Sequence, residues 1–134
     1  MDTGPLVAAL SRKDEYHVAC VNALRDMTGP LLSCWPVITE AAWLLRKSPR
    51  AIQQRLRSID GSFLELLPLS GTEAQKIAAF MKRYEDIQPQ LADAALVYLA
   101  GREKIETIFT LDQRDFSIYR SGRRSTFRFV PEVE

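Results

Sequence analysis

Leu91-Ala92-Asp93-Ala94-Ala95-Leu96-Val97-Tyr98-Leu99-Ala100, closed by Gly101, and then Thr107-Ile108-Phe109-Thr110-Leu111-Asp112, is the stretch from which the fold is read. The first part is helix-compatible and apolar almost all round, a pattern that means burial on every side. The second is a short apolar run that reads as a buried strand, and a polar segment starts at Asp112.

The same signals recur in both directions. Downstream, Phe127-Arg128-Phe129-Val130 reads as a last short strand. Upstream, Ser70 and Glu73 form a capping-box pair ahead of Ala74, Ile77, Ala78, Met81 and Tyr84, which predicts a helix of about four turns. Phe63-Leu64-Glu65-Leu66-Leu67 reads as a buried strand ended by Pro68, and Ser48-Pro49 opens a helix through Ile52, Leu56 and Ile59 that Gly61 ends. Residues 31–35 fit another strand, and Pro36 suits the first turn of a helix that turns Val37, Ala41, Leu44 and Leu45 inward. Residues 11–27 read as one helix, with Tyr16, Ala19, Cys20, Ala23, Leu24 and Met27 on its apolar face. Strands separated by helical stretches argue for α/β layering with a mainly parallel sheet.

The chain has 134 residues, so one domain over 1–134 is expected. Eighteen basic and seventeen acidic side chains give a net charge of +1, and any attraction to nucleic acid must therefore be local. Cys20 and Cys34 have neither metal-binding nor disulfide-framework spacing and suggest a reduced, cytoplasmic setting. No apolar run approaches the roughly 18 residues needed to span a bilayer.

Four acids sit where apolar side chains are expected. Glu40 lies three positions after Val37 and four before Leu44, beside the inward stripe of its helix. Asp93 is the single ionisable group between Leu91 and Gly101. Asp112 directly follows a buried strand, and ligand crevices of open parallel sheets form at the carboxyl ends of strands. Asp2 precedes Thr3-Gly4-Pro5-Leu6-Val7, a glycine-containing turn into an apolar segment, and so can occupy the same kind of strand end. Singly each has a plain alternative: Asp112 could cap the next helix, Asp2 could be a frayed terminal residue, and Glu40 could reach water at the edge of its helix face. Asp93 is harder to dismiss, because a lone buried carboxylate needs a cation or several donors, and its helix offers no Lys or Arg before Arg102. Taken together, the four point to one shared site.

Electrostatics then decides what such a site holds. Two carboxylates about 4 Å apart repel by roughly 4 kcal/mol at an effective dielectric near 20. Three or four together protonate or spread unless a multivalent cation sits among them. All-oxygen ligands without a Cys or His cluster suit Mg²⁺ or Mn²⁺ and not zinc. Such ions keep coordinated waters, the arrangement used for in-line attack on phosphate. His17 is the sole histidine, which excludes catalysis by a histidine pair and leaves a helix-surface or supporting role.

Asp2-Thr3-Gly4-Pro5-Leu6-Val7, Thr39-Glu40-Ala41, Leu91-Ala92-Asp93-Ala94 and Phe109-Thr110-Leu111-Asp112-Gln113-Arg114-Asp115-Phe116 resemble, in order and spacing, the acidic motifs of PIN domains, above all the VapC group of toxin ribonucleases. The resemblance implies a three-layer α/β/α fold with a parallel sheet and metal-dependent hydrolysis of single-stranded or structured RNA. It matches Asp2, Glu40, Asp93 and Asp112 to the family's four acidic positions, which ligate Mg²⁺ or Mn²⁺ and carry catalysis. Thr110 matches the hydroxyl residue before the last acid, and Asp115 adds a supporting carboxylate. A cognate antitoxin whose C-terminal segment covers the acidic pocket, and a homodimer, are the partners it implies.

The departure lies at the front. The family's first strand leads into the first Asp, and here Met1 alone precedes Asp2. The expectation is a truncated first strand, an Asp2 on a mobile terminus, a nearby charged α-amino group competing for it, and weak metal affinity.

Arg114, Arg120, Arg123, Arg124 and Arg128 crowd the C-terminal segment and are candidates for holding RNA phosphates, with a solvated turn as the alternative. Trp35 and Trp43 read as core or as a partner groove rather than as base-stacking platforms. Two functions remain open on the sequence: a toxin ribonuclease, or a catalytically weak module with the same fold that docks protein or RNA.

Overall fold

The structure, a computed structural model, describes residues 1–59, 64–120 and 126–133. Its centre is α6 (Leu91–Glu103), whose Ala92, Ala94, Ala95, Leu96, Val97, Leu99 and Ala100 are buried. Small alanines let neighbouring layers approach this helix from several sides, which is why it carries so little polar surface. It runs past Gly101, the expected end, and closes at Lys104 in the left-handed region with φ 57°. The extra turn is held from outside. Arg102 on it donates to the Pro68 carbonyl at 2.8 Å and pairs with Glu73 at 2.7 Å.

Two parallel strand pairs form the sheet layer. β1 (Leu31–Ser33) pairs with β2 (Leu64–Leu66), in the register Leu31 to Leu64 and Ser33 to Leu66. β3 (Thr107–Phe109) pairs with β4 (Arg128–Val130), Thr107 against Arg128 and Phe109 against Val130. Between them lie Met1 and Asp2. The Met1 amino group donates to the Leu32 carbonyl at 2.6 Å, and the Asp2 N–H donates to the Phe109 carbonyl at 2.8 Å. The Ser33 hydroxyl donates to the Met1 carbonyl at 2.9 Å. Met1 and Asp2 thus join the two halves.

The strands are shorter than their apolar runs. Residues 31–35 were expected to be strand throughout, but Cys34 is the N-cap of α3 (Trp35–Leu44), with Pro36 in its first turn. Within and just beyond α3, Val37, Ala41 and Leu45 are buried as expected, whereas Leu44 is 52% exposed. The helix expected over 11–27 starts later, as α2 (His17–Asp26). Residues 11–16 are taken up by turns, in which the Asp14 carboxylate accepts from the Tyr16 N–H at 2.8 Å. Residues after Asp2, read as a turn, instead form α1 (Thr3–Leu10), which tolerates Pro5 because the first turn's N–H groups have no intrahelical partner. His17 Nδ1 lies 2.8 Å from the Ala8 carbonyl and fastens α2 to α1.

α4 (Pro49–Ile59) is amphipathic and carries no fully buried residue; the expected stop at Gly61 and the start of the second strand at Phe63 lie outside the described residues. The capping box at Ser70 and Glu73 is present, but it begins with a 3-10 turn, Gly71–Glu73, before α5 (Ala74–Arg83). α5 packs on α6, and α3 packs on both α1 and α6. This is the α/β layering that the element pattern implies, in the three-layer α/β/α form that the family resemblance implies. α7 (Gln113–Ile118) follows β3, and its Phe116 and the next residue, Tyr119, are fully buried with ring centroids 5.3 Å apart. Phe80 and Tyr84 complete that aromatic cluster at 5.3 and 5.2 Å from Tyr119.

Since Phe116 is wholly enclosed, Phe116→Ala is expected to lower unfolding free energy by about 3–5 kcal/mol. Leu44→Ala, at a solvent-facing position, should cost within about 0.5 kcal/mol. Denaturant unfolding of both variants checks the contrast.

Candidate functional site

The four acids come from separate elements and gather at the carboxyl end of the sheet. Asp2 is the N-cap of α1 and only 5% exposed. One carboxylate oxygen accepts from the Thr3 N–H at 2.7 Å, and the other accepts from the Thr110 hydroxyl at 2.7 Å. Burial raises its pKa, while these two donors oppose the rise. Thr110 is itself buried, and its hydroxyl oxygen accepts from the Asp112 N–H at 3.0 Å. One hydroxyl therefore ties the first acid to the loop that presents the last. Asp2 is not on a mobile terminus, as had been expected, because backbone and side chain are both held.

Glu40 lies on α3, half-buried, as its spacing predicts. Its pKa is raised by burial and then by the charge of Asp2, with the Thr3 hydroxyl opposing. Asp93 sits in the first turn of α6 and completes a capping box, accepting from the Gln90 N–H at 3.1 Å. The expectation of a helix with no solvent face is corrected there, since Leu91 is exposed and Asp93 only half-buried. Burial and then Asp2 push Asp93 up to about 7; Glu40 and Asp112 push in the same direction, and the Gln90 N–H opposes them. Asp112 stands at the N-cap position of α7 without making a side-chain cap bond. Its pKa is raised by burial, by Asp115 in the first turn of α7 and by Asp2.

Glu40, Asp93 and Asp112 thus each feel the charge of Asp2, and Asp93 feels Glu40 and Asp112 as well. Among the described residues, however, no three Asp, Glu, His or Cys side chains are drawn together into a ready-made cation cage. The acids are within electrostatic reach of one another and stop short of a shared ligating contact. Arg102 and Arg128 make their ion pairs with Glu73, Glu103 and Glu106 instead. The α-amino group also fails to neutralise the cluster: it is buried against the Leu32 carbonyl, and desolvation lowers it to about 6. The expected charged competitor for Asp2 is therefore mostly uncharged near neutral pH.

Two residues at the site have no counterpart among the sequence candidates. Tyr119 is 1% exposed, its hydroxyl lacks a hydrogen-bond partner among the described residues, and its pKa is raised by burial and by Asp93, Asp115, Asp112 and Asp2 in turn. Thr3 is 2% exposed, and its hydroxyl lies toward Glu40 without a formed hydrogen bond. The spacing of Tyr119 three positions after Phe116 signals a helix face, and nothing in the sequence signals its polar surroundings.

Of the basic candidates, Arg114 lies on α7, and Arg120 turns back to donate to the carbonyls of Ser117, Ile118 and Tyr119. Arg123 and Arg124 fall outside the described residues. Arg128 is exposed on β4 and faces Glu106 at 3.5 Å. Arg120 also lines an open cleft of about 460 Å³ with Lys76, Arg83 and Arg102, a basic set that proximity in sequence does not reveal. Phe80, which borders this cleft, packs on Tyr119 beside the acids. Trp35 and Trp43 are 59% and 64% exposed, not core, and Arg46 stacks over Trp43 at 4.1 Å.

Protonation at this site has a sign that can be measured. The Asp93 carboxyl rises on folding from 3.8 to about 7, so folding takes up a proton between those values, and the stability gained is complete below the lower and lost as pH rises through the upper. The Met1 amine falls from 8.0 to about 6, and its contribution is complete above the upper value and lost as pH falls through the lower. The protein in chelator is expected to lose stability from about pH 5 to about pH 6, where the site carboxyls dominate. Asp93→Asn should flatten that slope in thermal melts.

Comparison with known proteins bears on this geometry. The chain is similar to Ribonuclease VapC26 of Mycobacterium tuberculosis, with 30% identity over 133 residues that cover 98% of each protein. The model of the PIN domain family matches residues 1–121, a span that includes Asp2, Glu40, Asp93 and Asp112. A match of that extent, on a fold with parallel strand pairs and acids at their carboxyl ends, means that this chain belongs to the PIN domain family.

Proposed function

We propose that this chain, acting as one domain, is a divalent-cation-dependent ribonuclease and the toxin of a toxin–antitoxin pair working in the cytoplasm. The observation that carries the reading is that four oxygen donors from four segments, Asp2, Glu40, Asp93 and Asp112, are all raised by burial, with the charge of Asp2 adding to the rise at the other three. This donor set fits Mg²⁺ or Mn²⁺: it is all oxygen, its excess negative charge calls for a cation, and no Lys or Arg pairs with it among the ion pairs described. The name of the mycobacterial relative supplies the reaction class.

When bound, the ion supplies an activated water and stabilises charge on the phosphate and the departing 3′-oxygen. The chain's own residues do the rest. Thr110 holds Asp2 in one orientation and fixes the start of the Asp112 loop, so two acids are set by one buried hydroxyl. Asp93 must give up its proton before it can ligate, so proton and cation compete at this carboxylate. Lys76, Arg83, Arg102 and Arg120 line a cleft that can hold backbone phosphates, and Arg114 lies on the helix that Asp112 begins. The exposed Trp35, Trp43 and Leu44 on α3, the helix of Glu40, offer an apolar surface to an antitoxin segment or to a second copy in a homodimer.

Single-stranded RNA incubated with Mn²⁺ tests the reading. Asp93→Asn is expected to reduce cleavage by about 100-fold or more, and Thr110→Val by about 10- to 100-fold with the fold retained. Lys76→Ala with Arg83→Ala should weaken RNA binding and flatten its salt dependence by roughly one to two ions. The separation of the acids from ligating contact favours a second reading, a docking module without catalysis. Growth arrest on expression that Asp93→Ala relieves decides for the nuclease; arrest unaffected by that change, with no Mn²⁺-dependent cleavage, decides for the module.

A further inference from the structure

Tyr119, the residue that closes α7, is held from all sides. Its N–H donates to the Asp115 carbonyl at 3.3 Å, and its carbonyl accepts from Arg120 at 3.0 Å. Phe80, Tyr84 and Phe116 meet its ring edge-on, with centroids 5.2 to 5.3 Å away. A phenylalanine would make every one of these contacts. What the tyrosine adds is a hydroxyl sealed from solvent, with no hydrogen-bond partner among the described residues. Such a donor weakens a fold unless an acceptor reaches it. The polar groups around it are acids: after burial, the charges of Asp93, Asp115, Asp112 and Asp2, in that order, push the phenol up. Asp2 already has a donor on each oxygen, the Thr3 N–H and the Thr110 hydroxyl, and Asp112 and Asp115 interact with one another. Asp93 has one donor, the Gln90 N–H on Oδ2 at 3.1 Å, and its Oδ1 receives none among the hydrogen bonds described. A buried donor that lacks an acceptor thus lies within electrostatic reach of a carboxylate oxygen that lacks a donor.

We propose that Tyr119 is a positioning residue of the acidic site: its hydroxyl donates to Oδ1 of Asp93 when that carboxylate is charged, and so fixes the orientation in which Asp93 meets a cation. A charged carboxylate draws an O–H donor into a short bond, which the neutral acid does far more weakly. The packed ring cannot follow a moving partner, so the bond is made by a small turn of Asp93 toward Tyr119. With Gln90 on one oxygen and Tyr119 on the other, Asp93 gains the two-donor hold that Asp2 has from Thr3 and Thr110. Each oxygen keeps lone-pair capacity for a cation. The hydrogen bond stands by itself, whereas its effect on a cation rests on the metal-dependent reading of the site.

Proton NMR of the full chain in chelator at about pH 8.5, where Asp93 is mainly charged, reads the bond directly. The Tyr119 hydroxyl proton, assigned by its loss in Tyr119→Phe, is expected as a downfield line in slow exchange with water that moves upfield in Asp93→Asn. Mn²⁺ titration without RNA reads the consequence: Tyr119→Phe should weaken binding by about 10-fold. At about pH 5.5 in chelator, where Asp93 is neutral, the same variant should melt within about 2 °C of the parent or above it, since the ring contacts are kept. A hydroxyl line that is absent, or that Asp93→Asn does not move, overturns the proposal. Unchanged Mn²⁺ affinity in Tyr119→Phe overturns it too, and so does weaker binding accompanied by a clear loss of Tm at the lower pH, which marks a packing role. A line that moves as expected in a parent protein that binds no Mn²⁺ upholds the hydrogen bond and overturns the metal-dependent reading instead.

Discussion

The hydrogen bonds that Met1 and Asp2 make to Leu32 and Phe109 hold together two strand pairs that, among the described residues, otherwise share no ladder. From that join the rest follows. It sets the Asp2 carboxylate between Thr3 and Thr110, starts α1 at the end of the sheet, and brings Asp112 within reach of the same threonine. A central position between the two pairs is thus held by Met1 and Asp2, which bridge both neighbours. Burial of the amino group is the cost, visible in its lowered pKa.

Charge at the carboxyl end works against the fold. Asp2, Glu40, Asp93 and Asp112 are all shifted toward their neutral forms, and no basic side chain relieves them among the ion pairs described. Buried acids kept so close are stable only when protonated or when a cation sits with them. A protein that needed stability alone would place apolar residues there. The single hydroxyl of Thr110 limits this tension by giving Asp2 a donor.

Much of the architecture was legible because burial leaves a periodic mark. The apolar surround of α6, the Pro at the start of α3 and the capping box at Ser70 each predicted an element that is present. Strand lengths were not, since an apolar run such as 31–35 does not say where backbone pairing stops and a helix cap begins. α1 was missed because Gly4 and Pro5 look like a turn, whereas Asp2 caps a helix there. The acids were found by being out of place, and Asp2, Glu40, Asp93 and Asp112 do lie within mutual influence. Tyr119 and the Lys76–Arg83–Arg102–Arg120 cleft escaped notice, because each depends on tertiary neighbours far apart in the chain.

The capping box at the start of α6 has an evolutionary consequence. One oxygen of Asp93 receives the Gln90 N–H, so the side chain serves helix initiation as well as any ligand. Folding alone therefore favours a hydrogen-bond acceptor at that place. Glu40 accepts no such backbone hydrogen bond among those described, so the two acids differ in how much of their retention folding alone accounts for.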